Sequence, residues 1–288
     1  MSRRAFDLVL DQVRAEPSRT WSIIITLFGD AIVPRGGSVW LGTLLAFFKG
    51  MDISEGVVRT AMSRLAADGW LTRTKVGRNS YYRLADKGRE TFARAAEHIY
   101  HRRAPLWSGT FDMLLIDAPL RESAKDTLTD AGFGSPMPGV YVMPTGRTPP
   151  LEIAGALRLE VAGTRAEQRE LAARSWRLTE TAASYRRFIE TFRPLAVELA
   201  EGVTLSDLDA MIARTMLIHA YRRVVLRDPI LPLDVLPEDW PGVEAHDLCA
   251  EAYGILSPVS ERWLDANAID ETGEPLRKGG NLLNRFSL

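Results

Sequence analysis

Apolar positions recur at helical spacing over much of the chain. In residues 54–70, SEGVVRTAMSRLAADGW, the residues Val58, Ala61, Met62 and Leu65 form one stripe. Ser54 stands before the stripe as a predicted N-cap, and Gly69 follows it as a predicted left-handed stop. The opposite side holds Gly56, Arg59, Thr60, Ser63, Arg64 and Ala67, all small or basic. Upstream, WSIIITLFGDA (21–31) reads as an apolar helix and VPRGG (33–37) as a turn. Ser38 is then predicted to cap a short helix, VWLGTLLAFFK, that stops at Gly50. Downstream, WLTRTKVGRNSYYRL (70–84) alternates as two strands around VGRN, a hairpin signal. Arg73 and Lys75 share a face of the first strand, Arg78 sits at the tip, and Tyr81 and Arg83 alternate on the second. Asp86 is predicted to cap a long helix, KGRETFARAAEHIYHRR.

Three helices followed by a two-stranded ribbon is the order of a winged helix-turn-helix. APLWSGT (104–110) reads as a linker. The next segments are FDMLLIDAP (strand), RESAKDTLTDAGFG (helix), GVYVMP (strand) and ALRLEVAG (strand). They predict a small α/β domain of ferredoxin-like type. From Arg165 the pattern is helical, with helices over about 179–201, 206–227 and from Pro241 toward Asn267. DPILPLDVLPEDWPG (228–242) contains Pro229, Pro232, Pro237 and Pro241, so it cannot be helical throughout. The predicted organisation is a winged helix over 20–90, a linker helix over 91–109, and the ferredoxin-like domain over 110–164. A helical C-terminal domain over 165–270 and a mobile tail over 271–288 complete it. The fold class is mostly α with α+β parts.

Charge changes this picture. The whole chain carries a net charge of -1, yet residues 59–103 hold 11 Lys/Arg against 4 Asp/Glu. A local basic excess is an electrostatic footprint for nucleic acid. The single cysteine, Cys249, excludes an internal disulfide and fits a reducing compartment. No stretch approaches the roughly 20 apolar residues that cross a bilayer, and acidic residues interrupt the N-terminus, so no signal peptide is expected. The expected location is cytoplasmic, with no membrane partner.

A helix that enters the major groove passes close to base edges and phosphates. Small residues permit that approach, and arginine can bind guanine or phosphate with two parallel hydrogen bonds. Arg59, Thr60, Ser63 and Arg64 are therefore the candidates for double-stranded DNA in the major groove. Arg73, Lys75, Arg78, Asn79 and Arg83 are the candidates for the flanking backbone or minor groove. The competing reading is a helix and hairpin used for protein contacts.

The segments WSIIITLFGDAIVPRGGSVWLGTLLAFF, VVRTAMSRLAADGWLTRTKVGRNSYYRL and HAYRRVVLRDPILPLDVLPEDWPG resemble the PaaX family of repressors of phenylacetate catabolism genes. The resemblance is densest over residues 20–90 and 215–242. It implies a homodimeric repressor at operator DNA, released by an aryl-acetyl coenzyme A effector, typically phenylacetyl-CoA. The middle α/β domain is expected to support dimerisation.

Within HAYRRVVLRDP, the residues His219, Arg222, Arg223 and Arg227 fall at helical spacings that allow one basic stripe. Arginine forks suit the phosphates of coenzyme A, and Tyr221 and Trp240 suit an aromatic acyl group. The alternative is an ion-pair network with Asp228, Asp234 and Asp239 that braces the proline-rich segment. Other chemistry is sparse. His98 and His101 have the spacing of a helical metal pair, but Arg102 and Arg103 oppose a cation, and no metal or cofactor is expected. Asp112 and Asp117 flank the first middle-domain strand, where a nuclease would keep a metal ligand. Cys249 has no placed His or Asn partner. The alternative functions are a winged-helix regulator of another pathway, or a nuclease or acyl-CoA hydrolase with a DNA-binding part; the expectation is a protein that is not an enzyme.

Overall fold

The computed structural model of the chain describes residues 4–15, 20–101, 107–146, 155–279 and 285–286. Helices dominate, and the remainder is two small antiparallel sheets. The chain forms two compact units. One comprises residues 1–102, 186–226 and 243–288, the other 103–185 and 227–242. Arg102, Arg103 and residues 104–106 of the expected linker lie outside the described residues.

The first unit opens with α1 (Arg4–Ala15) and α2 (Thr20–Leu27). α2 runs on into one π-helical turn, Phe28–Ile32, and a 3-10 turn, Val33–Arg35. Then come β1 (Ser38–Trp40), α3 (Leu41–Lys49), α4 (Glu55–Ala67), β2 (Leu71–Val76), β3 (Asn79–Leu84) and α5 (Asp86–Tyr100). Val58, Met62 and Leu65 of α4 are buried, against α2 and α3, whose Ile24, Leu44, Phe47 and Phe48 are fully buried. The helix ends as expected: Gly69 has φ +73°, and the Trp70 and Gly69 amides bond to the Leu65 and Ala66 carbonyls. That pair of bonds is the Schellman stop.

Three local expectations are corrected. Residues 38–40 are a strand, and the helix expected from Ser38 begins at Leu41. Val39 and Trp40 pair with Tyr82 and Tyr81, so the sheet has three strands in the order β1-β3-β2. β-prone residues beside an open edge gain more from that ladder than from a first helical turn. Ser54 does occupy the N-cap of α4, but its hydroxyl makes no cap bond. Ala85, not Asp86, is the N-cap of α5, and Asp86 lies in the first turn, paired with Arg89. An acid in that turn still complements the helix dipole.

α9 (Asp207–Val225) and α10 (Gly242–Asn267) complete the first unit, together with α8 (Leu178–Ala200) from Arg186 onward. The described part of the C-terminal tail is packed, where a loose tail is expected from its sequence. Ile269 bridges Pro275, Leu276 is buried, and the Phe286 ring lies 5.2 Å from those of Tyr100 and Tyr253.

The second unit carries β4 (Phe111–Ile116), α6 (Arg121–Asp130), β5 (Gly134–Met137), β6 (Val140–Pro144), β7 (Ala156–Val161) and α7 (Arg165–Ser175). Its sheet order is β5-β6-β4-β7, antiparallel throughout. Leu114, Ile116 and Tyr141 on one face cluster with Ala124 and Leu128 of α6. β5 is an addition to the expected strands. Its sequence, GSPM, lacks alternation and contains Pro136, which an edge strand tolerates.

Candidate nucleic-acid interface

α4 presents one uncovered face. Arg59, Thr60, Ser63, Arg64 and Ala67 are all exposed and line one shallow concavity. Gly56 extends the same face, and a methyl group added there would meet nothing within 4 Å. The face contains more acid at its ends than the helical spacing alone suggests. Arg59 reaches Glu55 at 3.2 Å and Arg64 reaches Asp68 at 3.8 Å. Both pairs are solvent-exposed and one turn long, the kind that a competing phosphate displaces at little cost. The Thr60 hydroxyl is turned onto the Gly56 carbonyl at 2.8 Å.

The hairpin after α4 is a two-residue loop, with Val76 opposite Asn79. Gly77 has φ +58° and is the one central residue with a positive φ, the pattern of a type II′ turn. Lys75, Arg78 and Asn79 are exposed at its end. Among the described residues, Lys75 and Arg78 have no ion-pair partner. Arg73 stands further down and donates to the Ser80 hydroxyl at 2.8 and 3.1 Å. Arg83 is held at the root of the sheet by the Glu271 carboxylate. So the nine candidates divide into two groups. Seven are presented outward: Arg59, Thr60, Ser63, Arg64, Lys75, Arg78 and Asn79. Arg73 and Arg83 are engaged within the unit.

The face is held from behind by a polar cluster that periodicity does not reveal. Asp30, in the π turn that continues α2, is 2% exposed. Its carboxylate accepts from Arg214 Nε at 2.7 Å, Tyr100 Oη at 2.7 Å, Tyr253 Oη at 3.0 Å and Arg285 at 3.1 Å. Burial opposes its ionisation, but Arg214, Arg285 and the hydroxyl of Tyr100 outweigh that and hold its pKa below the usual value. Arg214 also bonds Glu261 at 2.6 Å, and Glu261 and Asp265 of α10 both pair with Arg35. VPRGG is thus more than a turn, because its arginine is 2% exposed. The available signal was an Asp inside an apolar helix and an Arg inside a buried one, since such charges persist only when paired.

The residues proposed from 219 onward do not form one stripe. His219 is 3% exposed, and its Nδ1 lies 3.0 Å from the Thr26 hydroxyl. Burial, then Arg222 and Arg223, lowers its pKa to about 3. Arg222 donates to the Ser22 carbonyl and hydroxyl at 3.0 and 2.8 Å, and burial with Arg223 lowers its pKa to about 10. Tyr221 is buried 5.3 Å from the Phe188 ring. Arg223 is exposed. Arg227 and Trp240 belong to the second unit, where Trp240 packs against Tyr185 at 6.0 Å. His219 and Arg222 reach Thr26 and Ser22 of α2, while Arg223 is left facing solvent. The proline-rich segment is braced instead by α7. Arg169 bonds the Asp234 carbonyl at 3.1 Å and Glu238 at 3.0 Å, and Arg165 pairs with Asp234. Asp228 accepts from the Tyr185 hydroxyl at 2.7 Å.

Two of the enzymatic candidates, Asp112 and Cys249, are occupied or inert. Asp112 receives a two-pronged bond from Arg158 at 2.8 and 3.1 Å. Cys249 is buried, and desolvation raises its pKa well above the ordinary thiol value, which keeps it protonated. Among the described residues, no group of three His, Cys, Asp or Glu is placed to share a metal ion, and no helix is long and apolar enough to cross a membrane.

An exposed basic helix face beside an exposed basic hairpin tip defines a basic helix–hairpin module carried on a helical body. Comparison with known proteins narrows that class. Residues 19–88 match the family model described as PaaX-like protein, and residues 176–266 match that of the PaaX-like protein C-terminal domain. The chain is 34% identical over 290 residues to the transcriptional repressor PaaX of Escherichia coli (strain K12), covering 95% of this chain and 92% of that one. This chain belongs to the PaaX family. It also shares its fold with the uncharacterized protein Rv0674 from Mycobacterium tuberculosis, with a TM-score of 0.54 and 24% identity over 78% of this chain and 90% of that one.

Proposed function

We propose that the chain is a DNA-binding transcriptional repressor of phenylacetate catabolism genes, and that it acts as a regulator and not as an enzyme. Residues 20–90 are read as a winged helix, with α4 as the recognition helix in the major groove and the β2–β3 hairpin as the wing. The observation that carries this reading is the outward face of α4: two arginines and four small residues that no other described element covers. Its membership of the family of a transcriptional repressor supports the same role. Arg59 and Arg64 are assigned to base edges or adjacent phosphates, and Thr60 and Ser63 permit close approach. Lys75, Arg78 and Asn79 are assigned to the flanking backbone, and Arg73 and Arg83 to holding the wing in shape.

Residues 110–164 are read as the ferredoxin-like domain, on the strength of the strand order, and as the support of a homodimer. Two α4 helices would then meet an inverted repeat, spaced by turns of the duplex. The effector is proposed to be an aryl-acetyl-CoA such as phenylacetyl-CoA. Exposed Arg223 is kept as a phosphate-binding candidate and so, separately, is exposed Arg227, while His219 and Arg222 hold α2 and Tyr221 packs on Phe188 of α8. Release requires a coupling of about 1–3 kcal/mol between ligand and operator. Fluorescence anisotropy with the DNA upstream of its target genes tests both steps. Tight binding at low salt, weakened at least about 5-fold by phenylacetyl-CoA, is expected. Binding no tighter than to random DNA would overturn the repressor reading, and tight binding indifferent to the thioester would overturn the effector.

A further inference from the structure

Val57 is the third residue of α4, and it is 49% exposed, whereas Val58 beside it is fully buried. A lone exposed valine is ordinary on a protein surface; the position of this one is not. Val57, Thr60 and Arg64 stand at i, i+3 and i+7 and share one ridge of the helix, so the valine borders the outward basic face. It lies in the N-terminal turn, the part of a helix-turn-helix recognition helix that reaches base edges. Helix propensity does not favour a valine there, because its branched side chain loses rotamer freedom and ranks below alanine. One turn on, the Thr60 hydroxyl already donates to the Gly56 carbonyl, so it has no hydrogen left for a base. At this end of the face the arginines supply the hydrogen-bond donors, and Val57 supplies apolar surface.

We propose that Val57 reads the C5-methyl group of a thymine in the major groove. Every base pair shows donors or acceptors at that edge, but only thymine shows a methyl group. An isopropyl side chain neither donates nor accepts. It gains only where it removes apolar surface from water. Opposite a cytosine amino group or a purine N7 it would strip water from a polar atom and return no hydrogen bond. Charge brings the helix to the duplex through Arg59 and Arg64, whose forks select guanine or phosphate. Val57 adds a preference that those forks cannot supply. This rests on α4 being the recognition helix and names one base feature that it reads.

The test uses the full chain and the duplexes that it selects from a randomised pool at low salt. Each thymine of the selected sequence is replaced in turn by uracil, which keeps the base pair and removes only the methyl group. The wild type is expected to lose about 3- to 5-fold in affinity at a fixed thymine, the worth of one buried methyl group. Val57→Ala is expected to bind the thymine and uracil duplexes alike, within about 1.5-fold. Val57→Thr, which keeps one of the two methyl groups, is expected to fall between. At the same position 5-methylcytosine should bind the wild type better than cytosine, and Val57→Ala should not distinguish them. Arg78→Ala, at a flanking-backbone candidate, should weaken every duplex and keep the uracil effect. A wild type that selects a sequence without a fixed thymine, or that is indifferent to uracil at every thymine, would overturn the role of Val57 and leave α4 as the recognition helix. A Val57→Ala variant with the full wild-type uracil effect would do the same. A wild type that enriches no sequence would overturn the recognition helix itself, and Val57 with it.

Discussion

Arg214 Nε donates to Asp30 Oδ2 at 2.7 Å, and neither side chain is more than 2% exposed. The pair joins α9 to the π turn at the end of α2, the helix against which α4 packs. π turns inserted in α-helices concentrate where side chains must be re-aimed, and this one aims a carboxylate into the body. Removing one partner leaves the other charge buried and alone. Asp30→Ala is therefore expected to cost about 3–5 kcal/mol in urea unfolding at pH 7. Because the folded pKa of Asp30 is depressed, its ionic contribution is present above the unfolded value near 3.8 and is lost as pH falls through the lower folded value. The gap between wild type and Asp30→Ala should narrow below pH 4 and stay constant from pH 5 to 8.

His219 loses stability in the same direction as pH falls, but over a higher pH window. It is buried neutral beside Thr26, Arg222 and Arg223, with its pKa lowered to about 3. In the unfolded chain an imidazole takes up its proton near pH 6.5. Above that value His219 is neutral in both states and costs nothing. Between about 6.5 and 3 the unfolded state binds the extra proton, so stability falls as pH falls, by up to about 4–5 kcal/mol at the lower end. His219→Gln should remove most of this slope between pH 6 and 4. A variant whose stability declines as steeply as the wild type over that range would show that another group carries the acid sensitivity.

Gly56 separates folding from binding. A methyl group there meets nothing inside the protein, and glycine in a helix costs about 0.5–1 kcal/mol relative to alanine. Among the described residues nothing accounts for the missing side chain; the proposed close approach of a duplex would. Gly56→Ala should raise thermal stability slightly while lowering operator affinity. Arg59→Ala should lower operator affinity by about 1–3 kcal/mol and relax preference at one base position. Glu55→Gln, which frees the Arg59 guanidinium and removes a charge near phosphate, should raise affinity for every sequence. Gel-shift titrations over operator variants distinguish these outcomes.

The helices were legible because their apolar stripes repeat at helical spacing. α4 ends at its Schellman stop, α8 and α9 lie within two residues of the spans read from periodicity, and the outward face of α4 follows from Val58, Met62 and Leu65 alone. What was not legible depends on distant partners. β1 is three residues long, and only the exposed edge of β3 makes Val39 and Trp40 a strand. Arg35 and Arg214 look like surface residues until Glu261, Asp265 and Asp30 are brought to them. The supposed stripe at 219–227 failed because spacing shows which residues share a helix but not which neighbours surround it. The C-terminal tail, rich in Gly, Arg and Asn, is polar by composition, yet Arg285 and Phe286 fill the space beside Tyr100 and Tyr253.

Arg83 and Lys75 should behave differently although both are basic residues of one hairpin. Lys75 is exposed near the tip without an ion-pair partner among the described residues. Arg83 is tied to Glu271, which burial resists ionising but which Ser38 and Arg83 hold in its charged form below the usual pKa. A phosphate contact from Lys75 adds one counterion to those released on binding, so Lys75→Ala should weaken binding to all sequences alike and flatten the slope of log K against log salt by about one. Arg83→Ala should leave that slope nearly unchanged, because its charge is already neutralised within the chain. Its effect should appear in folding instead, as a loss of about 1 kcal/mol or less for a partly exposed pair. Anisotropy titrations between about 50 and 200 mM salt measure both slopes. Equal slope changes for the two variants would place Arg83 on the duplex and Glu271 elsewhere in the bound state.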